Sequence, residues 1–235
     1  MDLLGAVTFL RENILDDVGG ISSEWGDFSE DDTESFQLRW NNEELVANIN
    51  EAINQVYRRI LPVKELNPLY DITTSVGVQT YNLDPKILQI QGIRSQATNK
   101  TLVRVALEDV WDDTNLNTGQ GVPACYIPNY DTGSISFYKI PEAVVSYSLL
   151  VYRLPLITHS WGDTSTPIEL REEFMVPMLW YAAALSYEKD EANVVDPTRS
   201  AYFLQKFNQE FPMTSAYSDT RKRRTSNRSI SYGGI

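Results

Sequence analysis

The sequence predicts an α+β fold: an antiparallel helical bundle formed by N- and C-terminal helices, with an antiparallel β module inserted between them. Three observations carry this. Apolar residues recur at helical spacing near both ends of the 235-residue chain. The period shortens to 2 across the middle, and capping residues and prolines mark where helices start and stop. The expected division is 1–66 for the N-terminal helices and a long acidic loop, 67–160 for the β-rich module, 161–212 for the C-terminal helices and 213–235 for an extended basic tail.

The first helix rests on Leu3, Leu4, Val7, Leu10 and Ile14, one stripe at helical spacing. A second is expected from about Glu43 to Leu61, with Leu45, Ile49, Ala52, Ile53, Val56 and Ile60 on one face. Asn41 or Asn42 can cap it, Glu43 and Glu44 sit in its positive first turn, and Arg58 and Arg59 in its negative last turn. Pro62 stops it. Between these helices the loop from Asp16 to Asn41 is longer than an ordinary connection and carries eight acids before its first base, Arg39.

Strands are expected around Gln79–Leu83, Ile87–Ile93, Thr101–Val105, Ala124–Ile127, Ser134–Tyr138 and Ser146–Tyr152, with a turn at Asn129–Gly133 and a short helical turn at Leu107–Trp111. Thr166-Pro167-Ile168-Glu169 reads as a capping box opening a third helix, whose apolar face continues through Phe174, Met178, Tyr181, Ala182 and Leu185 and which Pro177 should kink. Asp196-Pro197 opens a fourth helix, with Ala201, Leu204, Phe207 and Phe211 before Pro212.

The charge is uneven. The whole chain is formally −12. Residues 218–235 hold Arg221, Lys222, Arg223, Arg224 and Arg228 against Asp219, a net of +4, which leaves a body of −16. Such a body repels a nucleic-acid backbone. The single Cys125 excludes an intramolecular disulfide. With no basic leader and no run approaching about 18 apolar residues, neither a signal peptide nor a membrane span is expected, and the plain reading is a protein made in a reducing cytoplasm.

Signatures of catalysis are nearly absent. His159, the single histidine, lies near Asp163, but no Gly-x-Ser-x-Gly elbow accompanies them. No phosphate loop is present, one His and one Cys do not build the usual zinc sites, and Glu30-Asp31-Asp32 lacks the ligand spacing of a calcium loop. No cofactor or metal is therefore expected, nor any enzymatic activity. Tyr126, Tyr130, Phe137, Tyr138, Tyr147 and Tyr152 fall in the expected strands or turns, where aromatic pairs ordinarily pack.

The order of segments is informative. Trp40-Asn41-Asn42-Glu43-Glu44-Leu45 leads to Ile49-Asn50-Glu51-Ala52, then Tyr81-Asn82-Leu83-Asp84-Pro85-Lys86-Ile87-Leu88 and Gly121-Val122-Pro123-Ala124-Cys125-Tyr126. Gly133-Ser134-Ile135-Ser136-Phe137-Tyr138, Leu150-Val151-Tyr152-Arg153-Leu154-Pro155 and Tyr181-Ala182-Ala183-Ala184 follow. Over roughly 40–211, with the short first helix, the chain resembles the head-to-tail adaptor (connector) proteins of tailed bacteriophages.

The resemblance implies a non-enzymatic ring of about twelve copies in the virion neck, made in the host cytoplasm, between a portal protein and a tail or nozzle protein. Genomic DNA would pass through the channel without specific binding. The tail residues Arg221, Lys222, Arg223, Arg224 and Arg228 are then expected to pair with acidic groups on the portal or an adjacent subunit, with Ile230, Tyr232 and Ile235 adding a strand to a neighbouring sheet edge. Another tail or baseplate component, a carbohydrate-binding module or a cell-wall hydrolase stand as the alternatives.

Overall fold

The computed structural model describes residues 1–17, 39–111, 118–129, 132–163, 165–189 and 196–212. They form an α+β fold in two compact units: one of 1–60 with the described residues from 155 onward, and one of 61–154.

The first unit is helical. Helix α1 (Leu3–Phe9) is capped by Asp2, whose carboxylate accepts the Gly5 N–H at 2.8 Å, and runs into a π-helical turn over Leu10–Leu15. The wider turn changes which side chains face inward. Leu3, Ala6, Val7, Leu10, Arg11 and Leu15 are buried, whereas Leu4 and Ile14 of the expected stripe are only half-buried. Helix α2 (Asn42–Ile60) starts on a reciprocal capping box: Asn41 Oδ1 accepts the Glu43 N–H at 3.1 Å, and Glu44 Oε2 accepts the Asn41 N–H at 3.3 Å. Asn41 is thus the cap, which frees Asn42 for another role.

The third expected helix starts later than its sequence signature. Thr166 and Ile168 make main-chain hydrogen bonds to Leu3 and Met1 instead, with Pro167 bridged to Asp2. Glu169 is also taken: its main-chain oxygen accepts the Tyr57 hydroxyl, and its carboxylate accepts the Leu156 N–H at 3.2 Å. These tertiary partners outcompete the capping box. A short 3₁₀ turn over Glu172–Phe174 then opens α4 (Met175–Tyr187). Pro177 sits in the first turn of that helix, where its missing N–H has no partner to lose, so the expected mid-helix kink has no cause.

Apolar on nearly every side, α4 buries Met175, Pro177, Met178, Leu179, three alanines, Ser186 and Tyr187. Contacts with α2 fix an antiparallel pair. Glu44 near the start of α2 holds Lys189 beyond the end of α4 at 2.7 Å, while Tyr57 near the end of α2 reaches Glu169 before its start. On another side of α4 lies α5 (Pro197–Glu210), whose Asp196 cap accepts the N–H groups of Thr198 and Arg199 at 3.1 and 3.0 Å. Tyr181 meets Phe207 with ring centroids 4.8 Å apart. Arg59 of α2 lies over the Phe207 ring and donates to the Phe211 carbonyl at 2.7 Å, satisfying an acceptor at the C-terminal end of α5.

The second unit is a mixed sheet. Its strands are β1 (Lys64–Leu66), β2 (Ile72–Thr73), β3 (Thr80–Asn82), β4 (Ile87–Ser95), β5 (Thr101–Arg104), β6 (Gln120–Gly121), β7 (Cys125–Asn129), β8 (Ser134–Tyr138), β9 (Ile140–Pro141) and β10 (Ser146–Arg153). The main sheet runs β1-β10-β4-β5-β7-β8-β3, with β2 also on β10, while β6 and β9 form a separate pair. All six expected strands are present, but the wholly antiparallel module is corrected. β5 pairs with β7 in parallel, and so does β6 with β9. The reason lies in the connection: a chain leaving β5 returns parallel only through a crossover, here the one that contains helix α3 (Leu107–Val110).

The sheet curls on itself. Phe137 on β8 and Tyr147 on β10 lie with ring centroids 4.9 Å apart although three strands separate them in the sheet, a distance of about 19 Å if it were flat. Register shifts at Leu150/Val151 and Tyr152/Arg153 help bend the β4–β10 ladder. Ile90, Ile93, Ile135, Phe137, Tyr147, Leu149 and Val151 fill the interior.

Candidate functional site

Hydrogen-bonded turns at one end of the β unit present apolar side chains to solvent. Ser75-Val76-Gly77-Val78 is closed by a Val78 N–H to Ser75 carbonyl bond of 3.2 Å, with Gly77 at φ 78°, the left-handed value a type II turn requires at its third position. The Tyr81 hydroxyl accepts the Ser75 N–H at 2.8 Å and donates to the Val78 carbonyl at 2.9 Å, bracing the turn.

Beside it, buried Thr74 staples the 143–145 segment: its N–H donates to the Val145 carbonyl at 2.9 Å, and its hydroxyl accepts the Val145 N–H at 3.0 Å. Gly77 N–H donates to the Pro141 carbonyl, and Gly121 is paired with Pro141. Four valines therefore share one end of the unit: Val76, Val78, Val122 and Val144, exposed by 64, 42, 63 and 66%. A cluster of apolar side chains held outward by well-bonded turns is the kind of surface that protein partners cover.

A second feature lies in the helical unit, at the two flanks of residues 18–38. Arg11 is 1% exposed. Its guanidinium pairs with buried Asp17 on the near flank and, on the far flank, donates to the Trp40 carbonyl and Asn42 Oδ1, both at 2.7 Å. Asp17 in turn accepts the Arg39 N–H at 3.1 Å, and the Trp40 indole donates to the Ser186 carbonyl at 2.9 Å. Burial lowers the proton affinity of Arg11 and the Asp17 charge opposes that fall. The arrangement bolts the two chain ends of the acidic segment to each other and to α4.

His159 is buried in the helical unit. Its main-chain N–H and carbonyl exchange hydrogen bonds with the Asn50 amide, at 2.9 and 2.8 Å, while its Nδ1 has no hydrogen-bond partner among the described residues. Burial pulls its pKa down, against a smaller opposite pull from Asp163. In the β unit, burial pushes the Cys125 thiol up, away from the thiolate that a nucleophile requires. Among the described residues no group of His, Cys, Asp and Glu is placed to hold a metal, and no helix is long and apolar enough to cross a membrane.

The residues singled out for partner binding, Arg221, Lys222, Arg223, Arg224, Arg228, Ile230, Tyr232 and Ile235, lie outside the described residues, as does Tyr130. Tyr126, Phe137 and Tyr147 are core residues. Sequence reasoning missed the valine cluster, because its members sit singly in turns with no period; the only available signal was glycine beside valine in Val76-Gly77-Val78 and Gly121-Val122. It also missed Arg11, which follows Leu10 inside the first helix and reads as an ordinary interruption of the apolar run.

Residues 9–230 match the profile of the SU10 adaptor protein family. The chain belongs to that family. This adaptor is accordingly a structural protein of a phage, a component of the virion that works by contact with other virion structural proteins. No curated protein matches the chain.

Proposed function

We propose that this SU10-family adaptor forms a ring that joins the portal vertex of the capsid to the tail and encloses part of the DNA channel. The observation that carries the reading is the family match over 9–230. The physical features agree with it. An apolar valine end, stiffened by the Thr74 and Tyr81 hydrogen bonds, suits burial against another virion protein. Contacts between unlike faces of identical copies close into rings when their rotation divides a full turn, and the resemblance to phage connector proteins implies about twelve copies.

The charge supplies a second argument. A body of −16 lets acidic groups line a channel and repel the DNA backbone, so that the genome passes without sticking. The basic tail beyond Asp219 is suited to an acidic partner, and the portal or the adjacent subunit is the partner proposed.

Copy number in purified particles tests the ring directly. One chain per portal subunit is the expected result. A clearly different ratio moves the protein to the tail or baseplate, and absence from particles overturns the reading.

A further inference from the structure

Strand β3 is an edge with nothing on its far side among the described residues. Its pairing with β8 uses the main chain of Gln79, Tyr81 and Leu83: Phe137 N–H donates to the Gln79 carbonyl at 2.9 Å, and Leu83 N–H to the Gly133 carbonyl at 2.8 Å, with Tyr81 opposite Ile135 between them. By the alternation of an antiparallel ladder, the main-chain groups of Thr80 and Asn82 face the open side. Natural sheets guard such an edge by keeping it short and with charge, proline or a bulge. Both edge strands are three residues long, but Thr80-Tyr81-Asn82 carries neither charge nor proline, whereas the opposite edge, β1, carries Lys64 and Glu65.

The partner of β3 on its closed side is Ser134-Ile135-Ser136-Phe137. Near its C-terminus the same chain carries Ser229-Ile230-Ser231-Tyr232, the same alternation of hydroxyl, isoleucine, hydroxyl and aromatic. In β8 the alternation places Ile135 and Phe137 in the core, and the Ser136 hydroxyl lies 2.8 Å from that of Thr80.

We propose that Ser229–Tyr232 of one copy adds to the open edge of β3 in a second copy, as an outer counterpart of β8. An antiparallel register with Ile230 opposite Tyr81 puts Ser231 opposite Thr80 and Ser229 opposite Asn82. The open main-chain groups are then met and both isoleucine-bearing faces coincide. Arg228 falls opposite Leu83, next to Asp84, over a shallow depression of about 410 Å³ lined by Asn82, Leu83, Asp84, Pro85, Leu88 and Gly133.

Charge favours this occupant, since a tail of +4 meets a body of −16. The sixteen residues between Pro212 and Ser229 extend to about 55 Å, which sets the reach of the tail. The proposal rests on the reading of the chain as a self-assembling adaptor, and names the bond between its copies.

Cysteine trapping tests it. Full-length chains carrying Cys125→Ser and either Thr80→Cys or Ser231→Cys are mixed and oxidised. The expected result is a disulfide-linked heterodimer that neither chain forms alone, with Ile230→Cys in place of Ser231→Cys giving little product because its side chain leaves on the other face. A doubly substituted chain (Thr80→Cys with Ser231→Cys) that links only within itself overturns the proposal, and so does the absence of linkage on mixing. Ser231→Pro, which removes one ladder donor, is expected to weaken self-association, and unchanged association counts against the tail strand.

The mass of the unlinked assembly, read by sedimentation, separates the two claims. A ring without the cross-link overturns this contact and leaves the ring standing. Cross-linked open chains support the contact and overturn the ring.

Discussion

Replacing Arg11 by Met should destabilise the helical unit more than any exposed substitution. The side chain is of similar length and the site is closed to water, so the change removes charge and donors with little loss of volume. Three acceptors lose their partner: the Asp17 carboxylate, the Trp40 carbonyl and Asn42 Oδ1. Stranding one charge of a buried pair costs about 3–5 kcal/mol, and a neutral buried acceptor left unpaired about 1–3 kcal/mol.

Asp17 keeps the Arg39 N–H, which tempers the first figure. Asn42 is only half-buried and can turn its amide to water. The low end of the charge cost, about 3 kcal/mol, and of the Trp40 carbonyl, about 1 kcal/mol, therefore give a working value of about 4 kcal/mol. At roughly 2–4 °C per kcal/mol this lowers the melting transition by about 8–16 °C. Scanning calorimetry is the assay. Combining Arg11→Met with Asp17→Leu removes the stranded carboxylate and should recover a large part of the loss, leaving the two neutral acceptors. A single variant that melts within about 2 °C of the parent, or a double variant no better than the single, would falsify the stranded-charge argument.

Other outcomes can be checked with similar economy. Val76→Asp combined with Val144→Asp should leave the circular dichroism spectrum and melting unchanged while reducing assembly with other virion proteins, since both side chains are exposed in the free chain. Gly77→Ala should cost about 1 kcal/mol, read by urea unfolding: the added Cβ meets no atom, so the penalty is the positive φ alone. His159 holds its proton less tightly folded than unfolded, so below about pH 6.5 the unfolded chain binds the extra proton. Stability should therefore fall as the pH drops through that value, and His159→Gln should flatten the slope measured by denaturant titration. Ending the chain at Asp219 is expected to reduce particle assembly without altering the fold, and undiminished assembly would count against any role for the basic tail.

Sequence alone determined the fold class and the position of most elements. The 3.6-residue stripe of α2 and the Asp196-Pro197 start of α5 survive because each is satisfied locally, by a cap and by one buried face. The six main strands were legible for the same reason, since alternation needs only one buried side. The uneven charge and the order of segments that resembles phage adaptors were legible as well, and the family match agrees with the second.

What depended on distant partners could not be read. Thr166–Glu169 has every local feature of a helix start, yet its main chain is bonded to Met1, Leu3 and Tyr57, residues more than a hundred positions away. Whether Pro177 kinks a helix depends on where that helix begins, and those contacts move the start to Met175. Parallel pairing of β5 with β7 follows from the crossover between them, which no strand pattern encodes. Arg11 shows the principle most plainly: a charge that interrupts an apolar run reads as solvated, and only the tertiary structure, by bringing Asp17, Trp40 and Asn42 around it, makes burial of that charge favourable.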